Sequence, residues 1–521
     1  LRNLAILDYD ERSVHLLGYD WRLSPRKLQQ RDGWFTQLRR ETELLKELNG
    51  EKVVLAPDAV SRMQANADSA PAGASVLEEK RHWLVGGFAD EMGEEELCRT
   101  FIIGHCAGVG DMLPVPVVRA TMAARANVLA GAQTGCRPEA AKVLVDMLNA
   151  GIHPDVPSQG SVGAAGDLAP LAHIARVACG YTGPLQGIAP YTPTAKEALA
   201  LINGISLTTA LGALATVRAR RLLDSVVAAC AMTMEVMGTD SGCIDERLVE
   251  SRNHPGGIAI AAQLRGWLIG STQVRAGQPV DAFSIRAAPA VLGTVAEAIA
   301  ATELVVSREM NGSGDNPLLI GGQWLEGGNF HGGPVAHVLD SLKIAMTQLA
   351  TSSERRTFRL THGQLSRGLP SFLVAGTGLN SGFMLAQYTA ASLASECKGL
   401  AHPASVDTIP TVQHHEDHVS MGPIAGRMLL ELIECAADIV GIEVLLAAQG
   451  LDLRARGLGH DDEGKAVAVE PVVLAPAIEK LHGRVRAVVP FWEDDGVLHP
   501  ALKAAGALVR SGDFLGSPTD W

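Results

Sequence analysis

The sequence predicts a mainly α-helical protein built from long helices, with a small mixed α/β region at its N-terminal end. Three observations carry that expectation. Across 521 residues, hydrophobic side chains make up 47% but aromatics only 4%, so the interior must be assembled from Ala, Leu, Val and Ile, which suits close helix packing better than an aromatic-rich sheet. Ala, Val, Leu and Met recur at three- and four-residue spacing through 115–132 and 137–150, the period of a helix with one buried face. Longer apolar stretches follow at 195–237, 289–309, 334–355, 382–400 and 422–450. Several are too apolar all round to leave a face in water, so other helices must cover them, within the subunit or across subunits.

Taken in order, residues 1–93 form the mixed N-terminal region. Leu4-Ala5-Ile6-Leu7 and Lys52-Val53-Val54-Leu55 read as short strands, Ser24 to Leu48 as a charged helix, and Asp68 to Gly73 as a loop. From Glu94 helical periodicity takes over and defines a core of 94–455. Pro138, directly after Arg137, suits the first turn of a helix, where its missing N–H costs nothing. Gly- and Asn-rich connectors at 160–166, 311–316 and 326–333 allow the unusual backbone that lines pockets. Residues 456–521 are less regular and read as a helical appendix.

Charge and cysteine usage exclude several function classes. The formal charge of −13 and the lack of any Lys/Arg run argue against a nucleic-acid partner. Eight cysteines at 98, 106, 136, 179, 230, 243, 397 and 435 form no CxxC pair, which fits reduced thiols better than a zinc site or a secreted disulfide framework. Asp8, Asp10 and Glu11 stand where a leader would carry basic residues, and no uninterrupted apolar run reaches about 18 residues. A soluble, cytoplasmic protein without a membrane partner is therefore expected.

The motif that carries chemistry is Gly160-Ser161-Val162-Gly163-Ala164-Ala165-Gly166-Asp167-Leu168-Ala169-Pro170-Leu171-Ala172-His173. It resembles, in all but one place, the signature of the histidine and aromatic amino acid ammonia-lyases. The likeness continues through Gly104-His105-Cys106-Ala107-Gly108, Leu201-Ile202-Asn203-Gly204, Asp315-Asn316-Pro317, Gly328-Asn329-Phe330-His331-Gly332, Ser353-Glu354-Arg355-Arg356, Leu379-Asn380-Ser381-Gly382, His402-Pro403-Ala404-Ser405 and Glu416-Asp417-His418-Val419-Ser420. These motifs fall in order over about 95–455. The resemblance implies a long-helix bundle of the ammonia-lyase/fumarase-like type, a homotetramer around a shared helical core, and active sites built from loops of several subunits.

In the family an Ala-Ser-Gly triad cyclises and dehydrates to methylideneimidazolone, the electrophile through which ammonia leaves. The glycine nitrogen attacks the alanine carbonyl, and loss of the serine hydroxyl creates the methylidene carbon. Here Ala164 and Gly166 are present, but Ala165 carries a methyl group where the leaving hydroxyl belongs. The expectation is that the prosthetic group is absent and that no other cofactor is used.

Further positions depart from the family pattern. The tyrosine thought to act as base is missing: Arg81 to Ala89 stands in its loop, and no tyrosine occurs between Tyr19 and Tyr181. The family's Gln-Asp-x-Tyr-Ser-x-Arg-Cys-x-Pro-Gln appears as Val280-Asp281-Ala282-Phe283-Ser284-Ile285-Arg286-Ala287-Ala288-Pro289-Ala290, and His415 replaces the glutamine before Glu416. Several losses at the chemical centre of an otherwise retained scaffold read as divergence more readily than as a single inactivating change.

By position the resemblance leaves Glu416, His105 and Asn203 as candidate catalytic groups, and Arg286, Phe330, Asn329, Phe283 and His415 as candidate substrate contacts. Arg286 matches the residue that holds the substrate carboxylate, work suited to a planar two-donor fork; its other reading is support of the neighbouring loop. Glu416 is either an acid–base group or a structural hydrogen-bonding cap. Asn203 either polarises a carbonyl oxygen or fixes the Asn203-Gly204 turn. His82, His331 and His414 are further imidazoles that could shuttle protons. The run His414-His415-Glu416-Asp417-His418 is not taken as a metal site, because adjacent side chains on a helix do not face one way. Three functions stay open: a repurposed enzyme that transforms an amino-acid-like or carboxylate-bearing small molecule by acid–base chemistry, a non-catalytic binding partner of this fold, and an ordinary ammonia-lyase or aminomutase inactivated at Ala165.

Overall fold

A computed structural model describes residues 4–6, 53–55, 57–69, 93–183, 185–460, 466–468 and 472–516. The expected helix from Ser24 to Leu48, the Arg81–Ala89 segment with His82, and residues 70–73 of the expected Asp68–Gly73 loop lie outside the described residues, while Asp68 and Ser69 belong to the last turn of a helix and not to a loop. The two strand-like segments pair: Leu4–Ile6 (β1) runs antiparallel to Val53–Leu55 (β2), with Ala5 opposite Val54.

The chain is mainly helical, as its composition requires, and divides into two compact units. The first comprises 1–214, 303–339 and 404–427; the second comprises 215–302, 340–403 and 428–521. The first unit holds helices Pro57–Ser69 (α1), Glu94–Gly104 (α2), Val115–Ala130 (α3), Pro138–Asn149 (α4), Leu168–Ala178 (α5) and Ala195–Ile202 (α6). Its strands form antiparallel hairpin-like pairs, Val109–Met112 (β3) with Pro157–Gln159 (β4) and Leu318–Ile320 (β5) with Gln323–Leu325 (β6). Pro138 occupies the first turn of α4 as expected.

The stretch 195–237, which reads as one helix by periodicity, is two. It breaks after Ile202 and resumes as Ser206–Met237 (α7). The cause is the turn at Asn203-Gly204, where Gly204 adopts φ +102°, a conformation that side-chain-bearing residues avoid. α6 itself starts with a capping box, the Thr194 hydroxyl serving one end and the Glu197 carboxylate accepting from the Thr194 N–H at 2.8 Å.

The second unit is built on most of α7 together with Pro255–Trp267 (α9, after the short Glu246–Ser251, α8), Phe283–Arg286 (α10), most of Ala288–Met310 (α11) and Gly333–Thr361 (α12), Met384–Leu400 (α13), and most of Gly422–Ala455 (α14). Pro476–Val488 (α15) and His499–Ser511 (α16) complete its helices. Ala228, Ala229, Ala231, Leu445, Leu446 and Ala447 are wholly buried, each aliphatic side chain of Leu size contributing about 1.5–3 kcal/mol. Small residues set how closely the helices approach: a Cβ at Gly293 in α11 would lie 2.4 Å from the Gly257 nitrogen in α9, and one at Gly441 in α14 would lie 2.6 Å from the Gly506 nitrogen in α16. Among the described residues α11 is the one helix long and apolar enough to cross a membrane, with 33% of its most apolar window buried.

Candidate functional site

In the first unit, the loops at Gly108, Gly204 and Ser420 meet the 160–167 segment, and the Gly332 loop meets Ser420, through close contacts that glycine permits. A Cβ at Gly160 would lie 2.9 Å from the Gly108 Cα, one at Gly166 2.3 Å from the Gly204 oxygen, and one at Gly332 2.9 Å from the Ser420 hydroxyl. Gly166 and Gly204 form a parallel bridge, the Asp167 N–H donating to the Gly204 carbonyl at 2.8 Å. From the other side, the Ser420 hydroxyl donates to the Gly163 carbonyl at 3.1 Å, and the Met421 N–H to the Val162 carbonyl at 2.8 Å. Ala164 is buried in a small apolar cluster with Val419 and Met421, while Ala165 is half-buried.

Beneath this platform sits Arg125, wholly buried, whose guanidinium donates to the Gly314 carbonyl at 3.0 Å and to the Ala200 carbonyl. Its charge is balanced by buried Asp315, 3.8 Å away, which also holds Lys196 at 2.7 Å. At the start of α5 the buried Asp167 carboxylate accepts from the Thr208 N–H (2.8 Å), the Thr208 hydroxyl (3.1 Å) and the Ser161 hydroxyl (3.2 Å). Burial pushes its pKa up to about 6, against the pull of those hydrogen bonds. Neither Asp167 nor Arg125 was among the site residues expected from sequence. Asp167 at the head of a helix, right after the triad, was the one available local signal; Arg125 had none, since its partners lie far along the chain.

Several expected residues lie on the loops that form this platform. His105 ends α2, its Nδ1 2.7 Å from the Phe101 carbonyl and its ring 4.5 Å from the Phe101 ring. A carbonyl only accepts, so Nδ1 carries a proton, and in the neutral form of the ring Nε2 is the acceptor. The segment that follows is fastened by the His173 Nε2–H, which donates to the Ala107 carbonyl at 3.2 Å. Asn203 is buried, and its side-chain oxygen accepts no hydrogen bond from the described residues. Phe330 is half-buried; Asn329 is exposed and donates weakly to the Ser313 carbonyl at 3.4 Å. His331 accepts from the Gly333 N–H at Nδ1 and stands 5.6 Å from the His418 ring.

Glu416 is half-buried and His415 exposed. The Glu416 carboxylate accepts from the Thr411 hydroxyl at 2.6 Å, and the two residues bridge through their backbones. Between them Val412, Gln413 and His414 all adopt positive φ, a strained turn for residues with side chains. Among the described residues no group of three or more His, Cys, Asp or Glu side chains is placed to hold a metal ion.

Phe283 and Arg286 belong to the second unit, on α10. Phe283 is 77% exposed, Arg286 is exposed with its guanidinium 5.8 Å from the Phe283 ring centre, and no acidic side chain pairs with Arg286 among the described residues.

Comparison with known proteins agrees with this arrangement. Residues 44–486 match the family model for aromatic amino acid lyases. The chain is 42% identical over 440 residues to the histidine ammonia-lyase of Koribacter versatilis, covering 78% of this chain and 82% of that one. Among solved structures it resembles histidine ammonia-lyase from Trypanosoma cruzi (35% identity, TM-score 0.78, 91% of this chain and 92% of the other). It also resembles tyrosine aminomutase from Streptomyces globisporus (30% identity, TM-score 0.80, covering 91% and 96%). The helical architecture, the glycine-packed loop platform and these likenesses converge: the chain belongs to the aromatic amino acid lyase family.

Proposed function

We propose that this protein binds an amino-acid-like or carboxylate-bearing small molecule on an ammonia-lyase scaffold and transforms it by acid–base chemistry without methylideneimidazolone. The observation that carries this reading is Ala165: the tripeptide sits in a platform of glycine contacts, yet its middle side chain is a methyl group. The residues present do not fit the prosthetic group, whose formation must expel a side-chain oxygen that Ala165 lacks. In the first unit His105 Nε2 serves as proton acceptor and Asn203 as a polar contact for the ligand; in the second, Arg286, which pairs with no acidic side chain among the described residues, offers its fork to a carboxylate. The relatives named histidine ammonia-lyase point to an imidazole-bearing or aromatic ligand.

The assembly belongs to the same proposal: a cytoplasmic homotetramer with loops of several subunits contributing to each site. Its support is the exposure of Val280 (74%), Phe283 (77%) and Leu379 (92%), apolar side chains that a second copy would cover, and free cysteines throughout.

A second reading, a non-catalytic binding module, is favoured by one contact: the Thr411 hydroxyl engages the Glu416 carboxylate as a structural cap would. Intact mass, ultraviolet absorbance and ammonia release from histidine, phenylalanine and tyrosine, on the natural chain and on Ala165→Ser, test the proposal. We expect an unmodified natural chain that releases no ammonia. A natural chain short of water mass that liberates ammonia overturns the proposal. A chromophore with ammonia release in Ala165→Ser identifies an ordinary lyase inactivated at this position, and binding without any turnover of metabolites selects the non-catalytic module.

A further inference from the structure

The turn that presents Arg286 alternates between anchored and outward-facing residues. Val280, Phe283 and Arg286 face out, whereas Asp281 is buried and Ile285 wholly so. Two guanidinium groups far along the chain hold the inward side. Arg367 donates to the Pro279 carbonyl and to Asp281 Oδ1, each at 2.8 Å, and also to the carbonyls of Met237 and Gly238. Asp281 Oδ2 accepts from the Asp240 N–H at 3.2 Å.

Arg356, with no exposure at all, donates through Nη1 to the Ser284 carbonyl at 3.2 Å, inside α10. Its Nε and Nη2 engage Glu443, equally buried, the Nη2 bond being 2.7 Å long. The Ser353 hydroxyl (2.6 Å) and the Thr233 hydroxyl (2.8 Å) complete the Glu443 carboxylate. Burial alone disfavours the Arg356 charge, but Glu443 beside it raises the pKa, so the guanidinium stays charged. A desolvated pair of this kind adds little net stability over apolar residues of equal volume, whereas its planar fork fixes direction. Among the described residues, the one acceptor outside the pair that this fork reaches is the turn carrying Arg286.

We propose that Arg356–Glu443 and Arg367–Asp281 are positioning pairs that pre-organise the 279–286 turn so that Arg286 meets a ligand carboxylate without an ordering cost. This rests on the reading of Arg286 as the carboxylate holder. It also fits the family positions kept and lost: the side chain of the kept Asp281 is itself an anchor, while the lost glutamine and tyrosine, now Val280 and Phe283, are outward-facing.

The test uses the full-length protein and the variants Arg356→Lys and Asp281→Asn, each of which removes one anchor while keeping a polar side chain. Two readouts are taken: amide hydrogen exchange at Arg286 and Ala287, which donate to the Ala282 and Phe283 carbonyls, and calorimetric binding of imidazolepropionate against its neutral amide. We expect faster exchange confined to the turn and carboxylate binding weakened about tenfold with the amide unaffected. Unchanged exchange in variants that melt as the parent does would overturn the proposal, as would weakening that is equal for acid and amide. If the parent binds neither probe but the turn still loosens in both variants, the anchoring stands and the carboxylate reading of Arg286 falls.

Discussion

The carbonyl oxygen of Gly204 stands where it would be only 2.3 Å from a Cβ on Gly166, and a Cβ on Gly204 would in turn lie 2.0 Å from the Gly314 oxygen. Three backbone segments are thus stacked with no side chain between them. Gly204→Ala must displace backbone and also strain a residue at φ +102°. We expect it to destabilise the protein by about 3 kcal/mol or more, read by urea denaturation. An unchanged midpoint would show that the stack yields easily.

Asp167 links stability to pH. Its pKa is about 6 in the folded protein because of burial, against an ordinary value of 3.8. The folded state therefore holds this proton more tightly than the unfolded chain does. The corresponding stabilisation is fully present below pH 4 and is lost as pH rises through about 6, a change of roughly 1–3 kcal/mol. The stability difference between the natural protein and Asp167→Asn, followed from pH 4 to 7, should shift against the natural protein by that amount. A flat difference would mean the carboxylate titrates normally.

Removing one half of a buried ion pair costs far more than removing an exposed one. Arg356→Ala strands Glu443 in the core and should cost about 3–5 kcal/mol. Arg247→Ala, which breaks a pair with Asp245 on the surface, should leave the melting temperature unchanged. Equal effects in thermal scans would contradict the difference in burial.

The Arg286 side chain is exposed and makes no ion pair among the described residues, its guanidinium lying 5.8 Å from the Phe283 ring centre, so its loss should not affect folding. Arg286→Met should keep the parent melting temperature while weakening a carboxylate ligand by roughly 10–100-fold relative to its amide. Equal loss for acid and amide would point to a support role in the loop.

The exposed Leu379 (92%) and Phe283 (77%) lead us to expect self-association, with a mass near that of a tetramer by light scattering and a smaller particle for Leu379→Asp. A monomeric parent would refute the assembly.

Helices over 115–130, 138–149, 288–310, 333–361 and 422–455 were legible in the sequence because apolar periodicity is written along the chain. So was the methyl group at 165, since a covalent leaving group is either present in a residue or not. The Asn203-Gly204 turn could be read as a turn, but not as a break in the 195–237 helix, because apolar residues continue on both sides of it and contact with Gly166 and Gly314 is what demands the bend. The clasp of Arg356 on Ser284 and the hold of Arg367 on Asp281 were likewise decided by tertiary structure. Hydrogen bonds joining residues far apart along the chain have no local pattern to read; they form where burial removes water as the competing partner and leaves donors only the acceptors that packing brings within reach.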